Sequence, residues 1–267
     1  MPAALTCSGL QTAYVSLDDL GTSISLPASI ERVVSLVPSL TESVAATAPG
    51  LLVGATDWCT HPADLVVTRV GGTKNPDVAR IVSLRPDLVL ANEEENRTAD
   101  LDALRAAGVA VWVTQVRSVE EAIDSLDRML RVGCGLARPG WLDDAAAAWA
   151  DLPHRQPERT AAVPIWRRPG MVLGRDTFAG DMLGRLGVGN AFADHAERYP
   201  RMALADIQDA EVIVLPDEPY VFSATDGPEC FPGRPVALVS GRHLTWYGPS
   251  MVDAPRVLTA QLSAASP

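Results

Sequence analysis

Positive charge, long apolar runs and paired cysteines are all scarce in this sequence, and each shortage removes a class of function. Lys and Arg total 22 against 33 Asp and Glu, a formal net charge of -11. A nucleic-acid backbone is neutralised by clustered cations, so DNA and RNA are excluded as partners. No apolar run approaches the roughly 20 residues that cross a bilayer, so no membrane span is predicted. The four cysteines, Cys7, Cys59, Cys134 and Cys230, lack the close pairing of a zinc site, and reduced, isolated thiols are expected. Residues 1–20 carry neither a basic start nor a continuous apolar segment, and no such segment precedes Cys7. No secretory leader or lipid-acceptor cysteine is therefore predicted. This reading places the protein in the cytoplasm, with an extracytoplasmic location as the alternative.

What is present is a repeated strand-and-helix grammar. A chain of 267 residues with 47% hydrophobic content can bury two modest cores. Segments 13–17 and 22–26 alternate around Asp18-Asp19-Leu20-Gly21 and suit a short edge hairpin. Residues 32–37 form a nearly continuous apolar run, as in a parallel strand buried on both faces, before a helix opening at Pro38. Strands follow at 51–56, 87–91 and 109–114, with helices at 76–84 and 98–107, the second stopped by Gly108. Alternation of this kind implies right-handed crossovers and a parallel sheet. Helical spacing recurs over 118–130 and again over 139–152, and residues 153–157 are polar and proline-rich. The grammar then restarts, with strands at 161–166, 171–174, 211–216 and 235–240 and helices at 177–186 and 250–262. The predicted class is α/β with two Rossmann-like lobes: a hairpin at 1–30, a first lobe at 31–138, a connecting helix at 139–157 and a second lobe at 158–267.

Candidate site residues cluster after predicted strands, because open parallel sheets bind ligands at the carboxyl ends of their strands. Ser39, Thr41 and Glu42 stand where a strand gives way to a helix and can hold a polar ligand group or cap the helix. Asp57, Trp58, Cys59 and His61 form the densest group: Trp58 can lie against a flat ligand, and Cys59 or His61 can approach a bound metal ion. The bland alternative is a buried cysteine and a loop histidine before proline. Glu94 and Asn96, within Glu93-Glu94-Glu95-Asn96-Arg97, and Trp166 and Arg175 also follow strands, though a charge run is commonly just solvated. Tyr199, Glu218, Tyr220, Phe222, Trp246 and Tyr247 lie in loops. The chain holds only 6 Trp, 4 Tyr and 4 Phe, so their gathering in loops points to a stacking surface for a large planar ligand.

Several segments, in order, resemble the helical-backbone metal-receptor family, the class III substrate-binding proteins of ABC importers. They are Asp18-Asp19-Leu20-Gly21, then Arg32-Val33-Val34-Ser35-Leu36-Val37-Pro38-Ser39 with Thr41-Glu42, then residues 72–75 ahead of Arg80-Ile81-Val82-Ser83-Leu84-Arg85-Pro86-Asp87-Leu88-Val89. The region Gly54-Ala55-Thr56-Asp57-Trp58-Cys59-Thr60-His61-Pro62 looks closest to the cobalamin-binding branch. The resemblance implies two lobes joined by a rigid helix, with a metal chelate held in the cleft between them. The expected ligand is cobalamin or a related corrinoid, with haem or a ferric siderophore as alternatives, and His61 would meet metal only through the bound chelate. No cofactor of the protein's own is expected, and a monomer is. In transporter-bound members each lobe offers the permease an acidic residue. The matching positions here are Ala79 and Ala205, with Asp77 and Asp206 beside them. Catalysis is disfavoured: no Gly-x-Ser-x-Gly elbow, Walker loop or His-Glu-x-x-His helix is present, and Cys59 and His61 are too close in sequence to orient as nucleophile and base. A cytoplasmic corrinoid-handling protein, and a protein binding free metal, are the remaining alternatives.

Overall fold

The computed structural model describes residues 14–154, 156–207 and 210–265. Cys7 and the first residue of the expected hairpin, Ala13, lie outside them. The chain divides into two compact units, one comprising Met1–Gln115 and Arg128–Ala137, the other Val116–Asp127 and Arg138–Pro267.

The first unit opens with antiparallel strands β1 (Tyr14–Leu17) and β2 (Ser23–Leu26). Asp18 closes their turn by accepting the backbone N–H groups of Leu20 and Thr22 at 3.0 and 2.8 Å. Then follow β3 (Val33–Ser35), α1 (Pro38–Thr47), β4 (Leu52–Ala55), the short strands β5 (Thr68–Arg69), β6 (Gly71–Gly72) and β7 (Asn75–Pro76), α2 (Val78–Ser83), β8 (Leu88–Asn92), α3 (Thr98–Ala106) and β9 (Val111–Thr114). Strands β5-β4-β3-β8-β9 make one parallel sheet. Every residue of β3, β8 and β9 is buried, which is why these runs are continuously apolar rather than alternating. Their side chains form the core with Ile81, Leu101 and Leu104 from the covering helices. Gly108 ends α3 at φ 80°, a left-handed conformation that costs glycine little.

In the second unit, β10 (Arg159–Ala162), β13 (Val188–Asn190), β14 (Val212–Pro216) and β15 (Val236–Val239) form a parallel sheet in the order β13-β10-β14-β15. Helices α6 (Phe178–Arg185), α7 (Gly241–Thr245) and α8 (Ala254–Ser263) belong to the same unit. The expected strand at 161–166 is in fact two. After Ala162 the chain leaves the sheet as β11 (Pro164–Arg167), which pairs antiparallel with β12 (Gly170–Val172). Pro164, which cannot donate to a ladder, stands at the break, but equal burial on both sides of Val163 makes the run read as one strand.

The expected connecting helix at 139–157 is corrected. Helix α4 (Val119–Arg128), extended by a wider π-helical turn at Met129–Gly133, is the one within which the division between units falls. Helix α5 (Gly140–Ala150) lies wholly in the second unit. It buries Leu142, Ala145 and Trp149 there, and the Trp149 indole N–H donates to the Met251 carbonyl at 2.9 Å.

A polar network fixes the start of α4 in the second unit. Asp181 accepts from the Val119 backbone N–H at 2.9 Å, from Arg185 Nε at 2.8 Å and pairs with His154 Nε2 at 2.8 Å, while Arg185 reaches Glu120 at 2.5 Å. Burial alone would raise the Asp181 carboxyl, but these donors outweigh it and hold the group below its ordinary range. No helix among the described residues is long and apolar enough to cross a membrane.

Candidate functional site

In each sheet the first strand sits inside, with later strands added on both sides. The strand order therefore reverses at β3/β8 in the first unit and at β10/β14 in the second. A crevice at the carboxyl ends is expected at such reversals.

Next to the first reversal, at the carboxyl end of β4, the loop carries Asp57, Trp58, Cys59 and His61. The loop is pinned from below. Arg69 Nη1 donates to the carbonyls of Thr56 and Cys59, both at 2.9 Å, and the Asp57 N–H donates to Gly71 at 2.9 Å. Cys59 is fully buried, its sulfur 3.0 Å from Thr41 Oγ1 and 3.1 Å from Thr56 Oγ1. Burial pushes its thiol up from the ordinary value, so it stays protonated. The expectation that Cys59 approaches a metal is overturned: a buried, protonated thiol presents neither surface nor thiolate. Trp58, one residue earlier, is 66% exposed on this rigid turn. Asp57 is exposed and His61 half-buried, its Nδ1 3.2 Å from Thr60 Oγ1.

Four of the other first-unit candidates, Ser39, Thr41, Glu42 and Asn96, are buried. Helix α1 is capped by Val37 without a side-chain hydrogen bond, so Ser39 is not its N-cap. Ser39, Thr41 and Glu42 are all buried, and Thr41 Oγ1 lies 3.0 Å from the Val37 carbonyl. Asn96 is buried and fully engaged: its Oδ1 accepts from the Asn92 N–H at 2.9 Å, and its Nδ2 donates to Thr73 at 3.0 Å and Leu36 at 3.4 Å. It ties together the segments after β3, β6 and β8, which overturns its expected role as a ligand contact. Glu94 follows in a turn that Asn92 closes by accepting the N–H groups of Glu94 and Glu95 at 2.9 and 3.2 Å. Its carbonyl accepts from Lys74 Nζ.

At the second reversal, β11 and the loop after β14 bring aromatics together. Trp166, 42% exposed, meets Tyr220 edge-on at 6.0 Å, and Tyr220 meets Phe222 at 4.6 Å. The Tyr220 hydroxyl donates to Asp226 Oδ2 at 2.6 Å. Arg167 pairs with Asp226 and, at 2.7 Å, with Glu229. The Glu229 carboxyl is held below its ordinary value, first by the Gly227 backbone N–H and further by Arg167. Trp166, Arg167, Arg168, Tyr220 and Asp226 line a cavity of about 240 Å³. Arg167 and Arg168 stand beside Trp166 in the run that follows a predicted strand but were not chosen as site residues, and Asp226 was missed altogether. Their signal was position, since they flank the strand-end aromatics.

Several second-unit expectations fail on burial. Phe222 belongs to the hydrophobic core, and Trp246 and Tyr247 are each 7% exposed, Tyr247 packing edge-on against Phe178 at 5.9 Å. These three offer no face for stacking. Glu218 is half-buried beside Gly241, where a Cβ would stand 2.5 Å from the Glu218 nitrogen, so the two strand-end loops meet backbone to backbone. Arg175 is exposed but committed, donating to the Ala196 carbonyl at 3.0 Å with Asp176 at 3.4 Å. Tyr199 is half-buried, with the Arg198 guanidinium 6.0 Å from its ring centroid. No group of three or more His, Cys, Asp or Glu able to hold a metal ion occurs among the described residues.

Two curated relatives align with most of this chain. An uncharacterized ABC transporter substrate-binding lipoprotein, YvrC of Bacillus subtilis, is 28% identical over 194 residues, 67% of this chain. A vitamin B12-binding protein of Vibrio cholerae is 24% identical over 193 residues, 69% of each chain. The chain is a homologue of ABC substrate-binding proteins. Its match spans 62% of the Bacillus lipoprotein's length. The fold agrees: a periplasmic heme-binding protein of Roseiflexus sp. RS-1 superposes with a TM-score of 0.71 at 23% identity, over 87% of this chain and 98% of that one. The resemblance to the class III helical-backbone metal receptors therefore holds in sequence and in fold. No family model matches the chain. The cytoplasmic expectation is corrected: the Bacillus relative is a lipoprotein and the Roseiflexus protein is periplasmic, which supports an extracytoplasmic location.

Proposed function

We propose that this chain is the binding component of an ABC-type uptake system and that its ligand is cobalamin or a related corrinoid. The observation that carries the reading is an exposed indole beyond the parallel strands of each unit: Trp58 in the pinned loop after β4, and Trp166 on β11 at the second strand-order reversal. Flat aromatic faces suit a large amphipathic macrocycle, because stacking gains area without exact hydrogen-bond geometry. The relatives named for vitamin B12 support the corrinoid over other chelates. The protein acts by binding and not by catalysis: Cys59, the nucleophile an enzyme would use, is buried and protonated. Any permease contact uses residues other than Ala79 and Ala205, since neither side chain carries charge. Asp77 is already engaged as the α2 cap, accepting the Arg80 N–H at 2.9 Å, which leaves Asp206 as the exposed neighbouring acid.

Haem is the second reading, favoured by one specific feature: a phenol, Tyr220, shares its cavity with Arg168, a pairing suited to iron and a propionate. Calorimetric titration with cyanocobalamin, hemin and a ferric hydroxamate separates the readings. The corrinoid is expected to bind one per chain, and heat from only the other two would overturn the assignment.

A further inference from the structure

The contest between corrinoid and haem turns on whether Tyr220 can reach a metal, and here the structure is specific. We propose that Asp226 is a specificity residue that holds the Tyr220 hydroxyl away from ligand metal, making this wall of the cavity a stacking surface and not an axial ligand. The inference rests on the metal-chelate reading above and sharpens it toward chelates whose metal needs no protein ligand.

The geometry carries the argument. The Tyr220 hydroxyl spends its one proton on Asp226 Oδ2 at 2.6 Å, the short range of a hydrogen bond to an ionised carboxylate. Asp226 is itself fixed, because Arg167 pairs with it and with Glu229 at 2.7 Å. The backbone closes the same loop: Ser223 and Asp226 form an antiparallel bridge, and the Gly227 N–H donates to Glu229 Oε2 at 2.6 Å. Edge-on packing against Trp166 and contact with Phe222 restrict the ring further. For Tyr220 to ligate iron(III), the hydroxyl must leave Asp226, its O–H bond must break with the proton passing to solvent, and the oxygen lone pair must form the Fe–O bond. Left where it stands, the resulting phenolate would face a carboxylate at hydrogen-bond distance, two anions in contact. Arg167 is one cation already shared between two carboxylates, Asp226 and Glu229, so a phenolate would add a further negative charge that it does not balance.

The test is spectroscopic. Wild type, Tyr220→Phe, Asp226→Ala and the Tyr220→Phe/Asp226→Ala double variant are each titrated with hemin and, separately, with cyanocobalamin. The expected result is no phenolate-to-iron(III) charge-transfer band in wild type. Asp226→Ala should show that band with hemin bound at least about tenfold more tightly, and the double variant should lose both gains. A phenolate band in wild type that Tyr220→Phe abolishes would overturn the proposal, as would its absence from a folded Asp226→Ala protein. Should Asp226→Ala not fold, Asp226→Asn is read in its place, with the band again expected. Failure of wild type to bind cyanocobalamin would sink the corrinoid reading alone, because the hemin spectra report on Asp226 independently.

Discussion

The two units treat the ends of their strands differently. In the first, the polar side chains after β3, β4 and β8 are spent on the fold: Asn96 joins three segments, Thr41 and Thr56 enclose Cys59, and Arg69 holds the turn. One large group, Trp58, is left facing solvent. In the second, the strand ends present Trp166 over an ion-paired floor of Arg167, Asp226 and Glu229 that fixes Tyr220. Rigidity comes from buried amides and hydroxyls in one unit and from charge pairs in the other. The lesson is that polar residues after a parallel strand more often hold the loop than the ligand, and the exposed aromatic is the better guide.

The sharpest break in that comparison is Asn96→Ala. Three buried hydrogen bonds lose their partner, so stability should fall by about 2–3 kcal/mol in chemical denaturation, while the folded protein keeps its ligand affinity within about threefold. A large affinity loss without a stability loss would make Asn96 a ligand contact after all. The second unit's counterpart is Asp181→Asn, expected to cost about 1.5–2 kcal/mol near neutral pH. Because the folded Asp181 carboxyl is held low, its contribution is present above the unfolded value near 4 and is lost as pH falls through the folded one. The variant should therefore flatten the acid side of the stability profile. An unchanged acid limb would remove Asp181 from the network.

How much of this was legible in the sequence follows from the same physics. Continuous apolar runs such as residues 88–91 announce buried parallel strands, and Gly108 marks a helix end. Strand β13 was unreadable, being three residues with Gly189 and Asn190. The break between β10 and β11 was hidden inside 161–166, which read as one strand despite Pro164. The connecting helix was misplaced because helical spacing reports a buried face without saying what buries it, and α5 and α4 are alike in that respect. For the site, position after a strand was readable and burial was not. Trp58 and Trp246 are both loop aromatics, yet one is 66% exposed and the other 7%.

Two smaller effects test the details. The raised thiols of Cys59 and Cys134, the latter pushed up to about 12 by burial, should resist iodoacetamide at pH 8.5 in the folded protein while half-buried Cys230 reacts. Folding stabilises the neutral Cys134 thiol, so that contribution is full below about pH 8.5 and fades as pH rises toward 12. Peptide mapping that finds Cys59 labelled would contradict the sealed-turn account. Arg175→Ala should change ligand affinity by less than about threefold, because its guanidinium already serves Ala196 and Asp176.

The central claim is that the exposed indoles beyond the parallel strands, Trp58 and Trp166, carry the ligand. It is tested most directly by the cyanocobalamin dissociation constant of the Trp58→Ala/Trp166→Ala double variant against wild type. Each ring is expected to contribute about 1.5 kcal/mol, so the constant should rise by about 100-fold with the thermal melt unchanged. An equally folded double variant that binds cyanocobalamin as tightly as wild type would contradict it.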